Sequence, residues 1–413
     1  MATSEHVVWA RLLARLVDAG HLLVADQLAA TLDAEIAELG LTADLLVVDA
    51  SQLVLTSLRT VGNEQIDLVN SLGGRAYQLG EILAGTADDG TPVLWVPVLD
   101  GTDRIGVMRV GLGDPAGCGH VDDAELRGRL WIVASLMGHI VATKTVYSDR
   151  LRRWRSNGPI SAPSELLWQL LPPRTFATDR LVVSAVLEPH DRVAGDAFDY
   201  NVDGELVDLA VFDAVGHDLQ ASITTALAIT AVRNARRAGV EDLVAIAAHA
   251  DGLIGGRPGP PQFATAILAR LDVGTGQLTI LNAGHPPPLL VRGGRVVKEL
   301  GPPPRTPLGV RTPAGTDQPV TTEQLEPGDR LLFYSDGVVE ARDRHGAFFG
   351  EERLVEMTEH AAASGLSAPE TLRRLAAAVL EHQGGLLQDD ATLLLAEWSA
   401  DAYRRMYPGD VLR

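Results

Sequence analysis

The sequence predicts an α+β fold, and three observations carry that prediction. From residue 164 onward, apolar runs of strand length and stretches of helical periodicity arrive in blocks, not in strict alternation. That order favours packed sheets with helices outside them over a doubly wound parallel sheet. The Gly274-Thr275-Gly276 tripeptide joins two strand-like runs as a hairpin, so part of the sheet is antiparallel. Ahead of this region, residues 43–112 carry their own set of short strand patterns, and 413 residues suffice for two cores.

Residues 5 to about 40 read as one or two helices: Val8, Leu12 and Leu16, then Leu28, Leu32, Ile36 and Leu39, recur at helical spacing. Gly20 and Gly40 are the expected breaks. LLVVDASQLVLTSL then reads as two apolar runs about a polar turn, and GRAYQLGEILAG (74–85) as a helix. TPVLWVPVLDG and DRIGVMRVGL form a hairpin about Asp100-Gly101-Thr102-Asp103. From Asp122 to Trp154 no proline or turn cluster intervenes, which predicts one long helix. Leu126, Leu130, Val133, Met137, Ile140, Lys144, Tyr147, Leu151 and Trp154 alternate at four and three, a heptad seam with one charged member. That seam suits a signalling helix paired with its copy in a homodimer; packing of residues 126–141 on the preceding domain satisfies the same pattern. SNGPISAP (156–163) ends the helix.

Strands are expected at 181–188, 207–213, 263–272, 277–284, 288–294, 329–337 and 391–398. Helices are expected at 219–237, 241–254, 351–363 and 369–382, the first presenting Ile223, Leu227 and Ala231 on one face. The resulting division is 1–118, a linker at 119–160, a large domain at 161–400 and a polar tail at 401–413.

Composition narrows the function. Hydrophobic residues make up 46% and charged residues 22%, ordinary for a globular protein. A net charge of −19 disfavours nucleic acid and anionic membranes as partners. The single cysteine, Cys118, in GLGDPAGCG, excludes an internal disulfide or a thiolate zinc cluster. No apolar run approaches the ~20 residues of a membrane span, and MATSEHVVW lacks the basic segment and apolar core of a signal peptide. A cytoplasmic location is expected.

The chemistry gathers on aspartates at the ends of apolar runs. VDLAVFD delivers Asp213 to a Gly-containing turn, Ala214 to His217, after which Asp218 reads as a helix N-cap. LLFYSDG sets Asp336 after a strand, and QDDATLLLAEW sets Asp389 and Asp390 before one. Asp196 and Asp199 lie upstream in GDAFDY. One such aspartate is ordinary turn chemistry. A set of them at one rim would repel unless cations intervene, and oxygen ligands on rigid strands suit a hard cation.

Two resemblances follow. Residues 25–115, through GRAYQLGE and VPVLDGTDRIGVMRV, resemble a GAF-type sensor domain, a small α/β module about an antiparallel sheet; this implies a small ligand as yet unspecified, or a purely structural dimerising role. GDAFDY, FDAVGHD, FATAILARLDVGTGQLTILNAGHPPPLL, TPLGV, LEPGDRLLFYSDGVVEARD with FFG, and QDDAT resemble, in order, the motifs of metal-dependent PPM-type (protein phosphatase 2C-like) serine/threonine phosphatases of the SpoIIE/RsbU branch. That resemblance implies an αββα sandwich with two Mg²⁺ or Mn²⁺ ions at one edge. It implies Asp213 as the bridge between them with the Ala214 carbonyl as an added ligand, Asp336 and Asp389 on one ion, and Asp196 serving the other directly or through water. Asp390 and Asp199 become outer-shell candidates. His217 and His285 stand as alternative general acids to a metal-bound water. Gly216-His217-Asp218 departs from the family's Gly-His-Gly. The implied activity is hydrolysis of phosphoserine or phosphothreonine on a STAS-domain anti-anti-sigma protein. A catalytically weak scaffold and a hydrolase of small phosphodiesters are the competing classes.

Overall fold

The computed structural model describes residues 2–59, 64–113, 120–155, 161–188, 195–216, 218–310, 319–385 and 387–409. Cys118 and His217 lie outside the described residues. The chain forms two compact units, Met1–Pro159 with Arg404–Arg413, and Ile160–Tyr403.

The first unit comprises α1 (Ala2–Leu22), α2 (Leu28–Ala37), β1 (Leu41–Val48), β2 (Val54–Ser57), β3 (Gln65–Asp67), α3 (Leu72–Leu79), β4 (Leu83–Thr86), β5 (Pro92–Asp100), β6 (Asp103–Leu112), α4 (Ala124–Thr145) and α5 (Asp149–Trp154). The strands form one antiparallel sheet in the order β3-β2-β1-β6-β5-β4. The expected hairpin closes at Gly101, whose φ of 59° its turn requires. Gly20 does not break the first helix. It lies within α1, where an added Cβ would meet Ile140 of α4 at 3.1 Å. The helix expected over 74–85 stops at Leu79, because Gly80 takes a left-handed φ of 70° and closes it.

The linker reading changes most. Instead of one helix, α4 ends at Thr145 and Ser148 caps a separate α5, its hydroxyl accepting from the Leu151 amide at 3.3 Å. Leu126, Leu130, Val133, Met137 and Ile140 are buried in the first unit's own core beside α1, α2 and the sheet. Gly138 brings the helix so close to β5 that a Cβ would stand 1.9 Å from the Leu99 carbonyl oxygen. These seam positions are therefore filled within the unit, whereas the seam's Tyr147 is exposed. The seam's charged member is also accounted for: Lys144, 4% exposed, donates to the His21 carbonyl at the end of α1, where a cation complements the helix dipole.

The polar tail is likewise not a tail. A 3₁₀ turn at Ala402–Met406 buries Met406, and Tyr407 stands edge-on to Trp131 with ring centroids 6.4 Å apart. The chain thus ends in the unit where it began.

The second unit runs through α6 (Ala162–Leu170), β7 (Thr175–Ala177), β8 (Leu181–Glu188), β9 (Asp196–Asp203), β10 (Leu206–Ala214), α7 (Leu219–Arg237), α8 (Leu243–Gly255), β11 (Ala264–Asp272), β12 (Gln277–Ala283), β13 (Leu289–Arg292) and β14 (Arg295–Glu299). It continues with β15 (Val320–Gln324), β16 (Arg330–Tyr334), α9 (Asp336–Val339), α10 (Glu351–Ala363), α11 (Ala368–His382) and β17 (Ala391–Trp398). A five-stranded sheet, β15-β12-β11-β10-β9, packs on a six-stranded one, β14-β13-β16-β17-β8-β7; both are antiparallel. Helices α7 and α8 cover the first sheet and α10 and α11 the second, giving αββα layers. The core between them draws Val207, Leu209, Val211, Ile267, Leu331, Phe333 and Leu394 into one cluster.

Pro163, expected to end a helix, instead opens α6 near its first position behind the Ser161 cap. The buried face of α7 is rotated from Ile223 and Leu227, both only half-buried, towards Ser222, Thr225, Ile229 and Val232. Asp336 is not on a strand. β16 ends at Tyr334, and Asp336 opens α9.

Candidate metal centre

Four segments deliver the site. β9 and β10 pair so that Asp196 stands opposite Asp213, and facing residues of an antiparallel pair share one side of the sheet. Ser335 stitches the end of β16 to the start of β17: its amide donates to the Thr392 carbonyl at 3.0 Å and its hydroxyl accepts from the Thr392 amide at 3.0 Å. Asp336 on one side of this stitch and Asp389-Asp390 on the other are thereby brought to the same rim. Gly337 makes the approach possible, since a Cβ there would stand 2.0 Å from the Asp390 carbonyl oxygen and 3.4 Å from the Asp389 Cβ.

Electrostatics mark the convergence. Burial and the neighbouring carboxylates of Asp336, Asp389 and Asp390 push the Asp213 carboxyl up to about 7, while a hydrogen bond with Asp196 acts the other way. Burial, then Asp213 and Asp390, hold the Asp196 carboxyl well above the usual range. Burial and Asp389 raise Asp336. Asp196 is 2% exposed, and its Oδ2 has no partner within hydrogen-bond geometry among the described residues; the nearby Ser335 and Thr392 hydroxyls act against the rise in its pKa. A buried carboxylate oxygen left open among other carboxylates is what a divalent cation would satisfy, and an all-oxygen donor set suits Mg²⁺ or Mn²⁺. The residues present therefore fit such ions in chemistry. Among the described residues no three His, Cys, Asp or Glu side chains are already set as a cage around one ion.

The outer-shell expectations divide. Asp390 behaves as one: its Oδ2 accepts from the amides of Gly195 and Asp196 and fixes the turn that carries Asp196. Asp199 does not. Three residues along the strand from Asp196, it projects from the opposite face, where Arg233 and Arg236 of α7 hold its fully buried carboxylate at 2.6 and 2.7 Å. Asp218 is a helix cap, its Oδ1 accepting from Gln220 and Ala221 amides at 2.8 and 3.0 Å.

His285 is not poised as an acid. Its ring lies between the Thr265 hydroxyl (Nδ1, 2.8 Å) and the Tyr334 carbonyl (Nε2, 3.1 Å), and burial lowers its pKa to about 4. Asn282 braces the same turn, accepting from the His285 amide and donating to its carbonyl, both at 2.9 Å.

Sequence reasoning missed Gly195, Thr225, Ser335 and Thr392. The Thr225 hydroxyl donates to the Gly195 carbonyl, and a Cβ on Gly195 would crowd the carbonyl oxygens of Gly216 (2.8 Å) and Ala214 (3.0 Å). The visible signal was glycine immediately before Asp196, as glycine follows Asp336.

Two packed antiparallel sheets lie between helix layers, with aspartates gathered at one rim. Residues 203–399 match the family described as Stage II sporulation protein E (SpoIIE). Protein IcfG of Synechocystis is 29% identical over 136 residues, 32% of this chain and 20% of its own length. Phosphoserine phosphatase RsbU of Bacillus subtilis is 23% identical over 228 residues, 52% of this chain and 63% of its own. Among solved structures, the RsbU and RsbW domains of a Mycobacterium tuberculosis protein align at 31% identity and a TM-score of 0.46, covering 53% of this chain and 62% of that one. The chain thus spans less than two thirds of each of these relatives. No helix among the described residues is long and apolar enough to cross a membrane.

Proposed function

We propose that this chain is a metal-dependent protein serine/threonine phosphatase, acting on phosphoserine or phosphothreonine of a protein of the STAS class. One observation carries the reading: aspartates from separate segments, buried Asp196, half-buried Asp213 and Asp336 and exposed Asp389, meet at one rim, the first three with raised pKa values and Asp196 with an unsatisfied oxygen. Two Mg²⁺ or Mn²⁺ ions bound there would supply an acidified water and neutralise phosphoryl oxygens. Asp213 would lie between them beside the Ala214 carbonyl, Asp336 and Asp389 would hold one, and Asp196 the other. Asp390 positions Asp196 through its backbone, and Ser335 fixes the spacing of the Asp336 and Asp389 turns. The first unit, a small antiparallel sheet with helices on both faces, fits a GAF-like sensor in the cytosol.

The test is turnover of p-nitrophenyl phosphate and of a phosphoserine peptide, with Mn²⁺, Mg²⁺ or EDTA, by wild type and Asp213→Asn. Metal-dependent turnover that falls at least ~10³-fold in the variant is expected, by analogy with loss of one transition-state-stabilising group. Turnover in EDTA overturns the metal dependence and with it the proposal; no turnover with either metal overturns it in favour of a scaffold. Preference for bis-p-nitrophenyl phosphate over the monoester would point to a phosphodiesterase.

A further inference from the structure

A second cluster of charge lies far from the aspartate rim. Helix α7 begins at Leu219, beside the turn that follows Asp213, and ends at Arg237. Its last two turns lie on the order of 20 Å from its first at 1.5 Å rise per residue. There Arg233, Arg236 and Arg237 line a cavity of about 450 Å³ together with Tyr200 and Asn201 of β9 and Gln169 of α6. The volume falls within the roughly 300–1,000 Å³ of small-molecule sites.

Structural roles account for part of this cluster only. Arg233 binds Asp199 and donates to the Leu170 carbonyl at 2.7 Å; Arg236 binds Asp199 and stands 3.9 Å from Asp208. Asp208 is itself held by Arg270 at 2.8 Å. A guanidinium carries five N–H donors in a fixed fork, and Arg233 and Arg236 spend theirs on Nε and Nη2, leaving Nη1 of each without a partner among the described residues. Arg237 has no hydrogen bond or ion pair among the described residues. Among the described residues the one carboxylate lining the cavity is exposed Asp203, against three guanidinium groups; Asp199 and Asp208 lie off the lining, Asp199 engaged by Arg233 and Arg236 and Asp208 chiefly by Arg270. In a chain of net charge −19 this is a local cationic site, and arginine forks match phosphate oxygens in geometry. Leu170, Leu171 and Pro172 add an apolar wall beside the Tyr200 ring.

We propose that this cavity is a second, non-catalytic site that binds a phosphate-bearing ligand through Arg233, Arg236 and Arg237. The phosphate belongs either to a phosphorylated side chain of a protein or to a small phosphorylated metabolite. The inference does not rest on phosphatase activity, because the arginines and the aspartate rim share no residue.

The experiment is calorimetric titration of the full chain in EDTA, where the metal-free aspartates repel anions. The probes are inorganic phosphate, AMP and a phosphoserine peptide, each against wild type, Arg237→Ala and Arg237→Glu. Melting curves establish that the exposed substitutions leave the fold intact. Saturable binding of at least one probe, weakened ~10-fold or more by Arg237→Ala and abolished by Arg237→Glu, is expected from loss of a charge-assisted pair. Tighter binding of the peptide than of AMP identifies a phosphoprotein as the source, and the reverse a metabolite. Absence of saturable binding by wild type, or equal affinity in Arg237→Glu, overturns the proposal.

Discussion

Replacing Asp213 by asparagine stabilises the metal-free protein even as it removes a proposed metal ligand. Burial and three neighbouring carboxylates lift the Asp213 carboxyl from an ordinary 3.8 to about 7. A folded-state pKa above the unfolded one means the native state holds its proton longer, so this group's contribution to stability falls as pH rises from about 4 through about 7. Each pKa unit is worth about 1.4 kcal/mol, which sets an upper bound of about 4 kcal/mol at pH 8. Part of that strain passes to Asp196 and Asp336, which ionise more readily once Asp213 is gone, so about 2 kcal/mol is expected for the substitution. For a unit of this size that corresponds to roughly 4–8 °C in Tm. Calorimetric melts in EDTA should show the full gap at pH 8, about a third of it at pH 5 and almost none below about pH 4, where folded and unfolded chains both hold the proton. Added Mn²⁺ should stabilise wild type and leave the variant little changed. An Asn variant that melts below wild type at pH 8 in EDTA, or a gap independent of pH, would refute the argument that the cluster is held under electrostatic strain.

Further outcomes test the surroundings. Gly337→Ala drives a Cβ to 2.0 Å from the Asp390 carbonyl; the displaced turns should cost roughly 3 kcal/mol of stability and nearly all metal-dependent turnover, read by melting and p-nitrophenyl phosphate assay. Asp199→Ala leaves Arg233 without its carboxylate and Arg236 with Asp208 alone, at 3.9 Å, and should cost about 3–5 kcal/mol, yet Mn²⁺ titration of the folded variant should give the wild-type affinity, unlike Asp196→Ala. His285, with its pKa lowered to about 4, is neutral in the fold. The unfolded chain takes up a proton there below about 6.5, so stability present above that pH is lost as pH falls towards 4. His285→Gln should flatten that acid loss in melting curves while leaving any limb of the activity profile near pH 6–7 in place; a missing limb would restore the histidine as a catalytic acid.

The elements that could be read from the chain were those whose burial is one-sided or complete. β8, β17, α7 and α10 match their expected bounds, since continuous apolar runs or full amphipathic turns define them. β9 was invisible: it is an edge strand whose outer half alternates with exposed polar residues, and its pairing with β10 is a long-range fact. The same blindness misplaced Asp199, because without the strand its face could not be known. Asp213 and Asp390 were legible, standing where an apolar run stops or starts. The α4 seam shows a subtler limit, for a heptad spacing records that one face is buried but not whether the partner is another helix or the helix's own sheet. Arg233 and Arg236 gave no local signal at all, as arginines near a helix end look the same whether they meet solvent or a buried carboxylate.

The return of the C-terminus has a topological consequence. Because Arg404–Arg413 rejoins the unit formed by Met1–Pro159, the second unit is an insertion in the first, attached at both its ends. A backbone nick in the 156–160 stretch should therefore leave two polypeptides that still co-elute, the downstream piece anchored by buried Met406 and by Tyr407 against Trp131. A chain shortened to residue 400 loses that anchor and strips two apolar side chains from a domain nearly three hundred positions upstream of the cut.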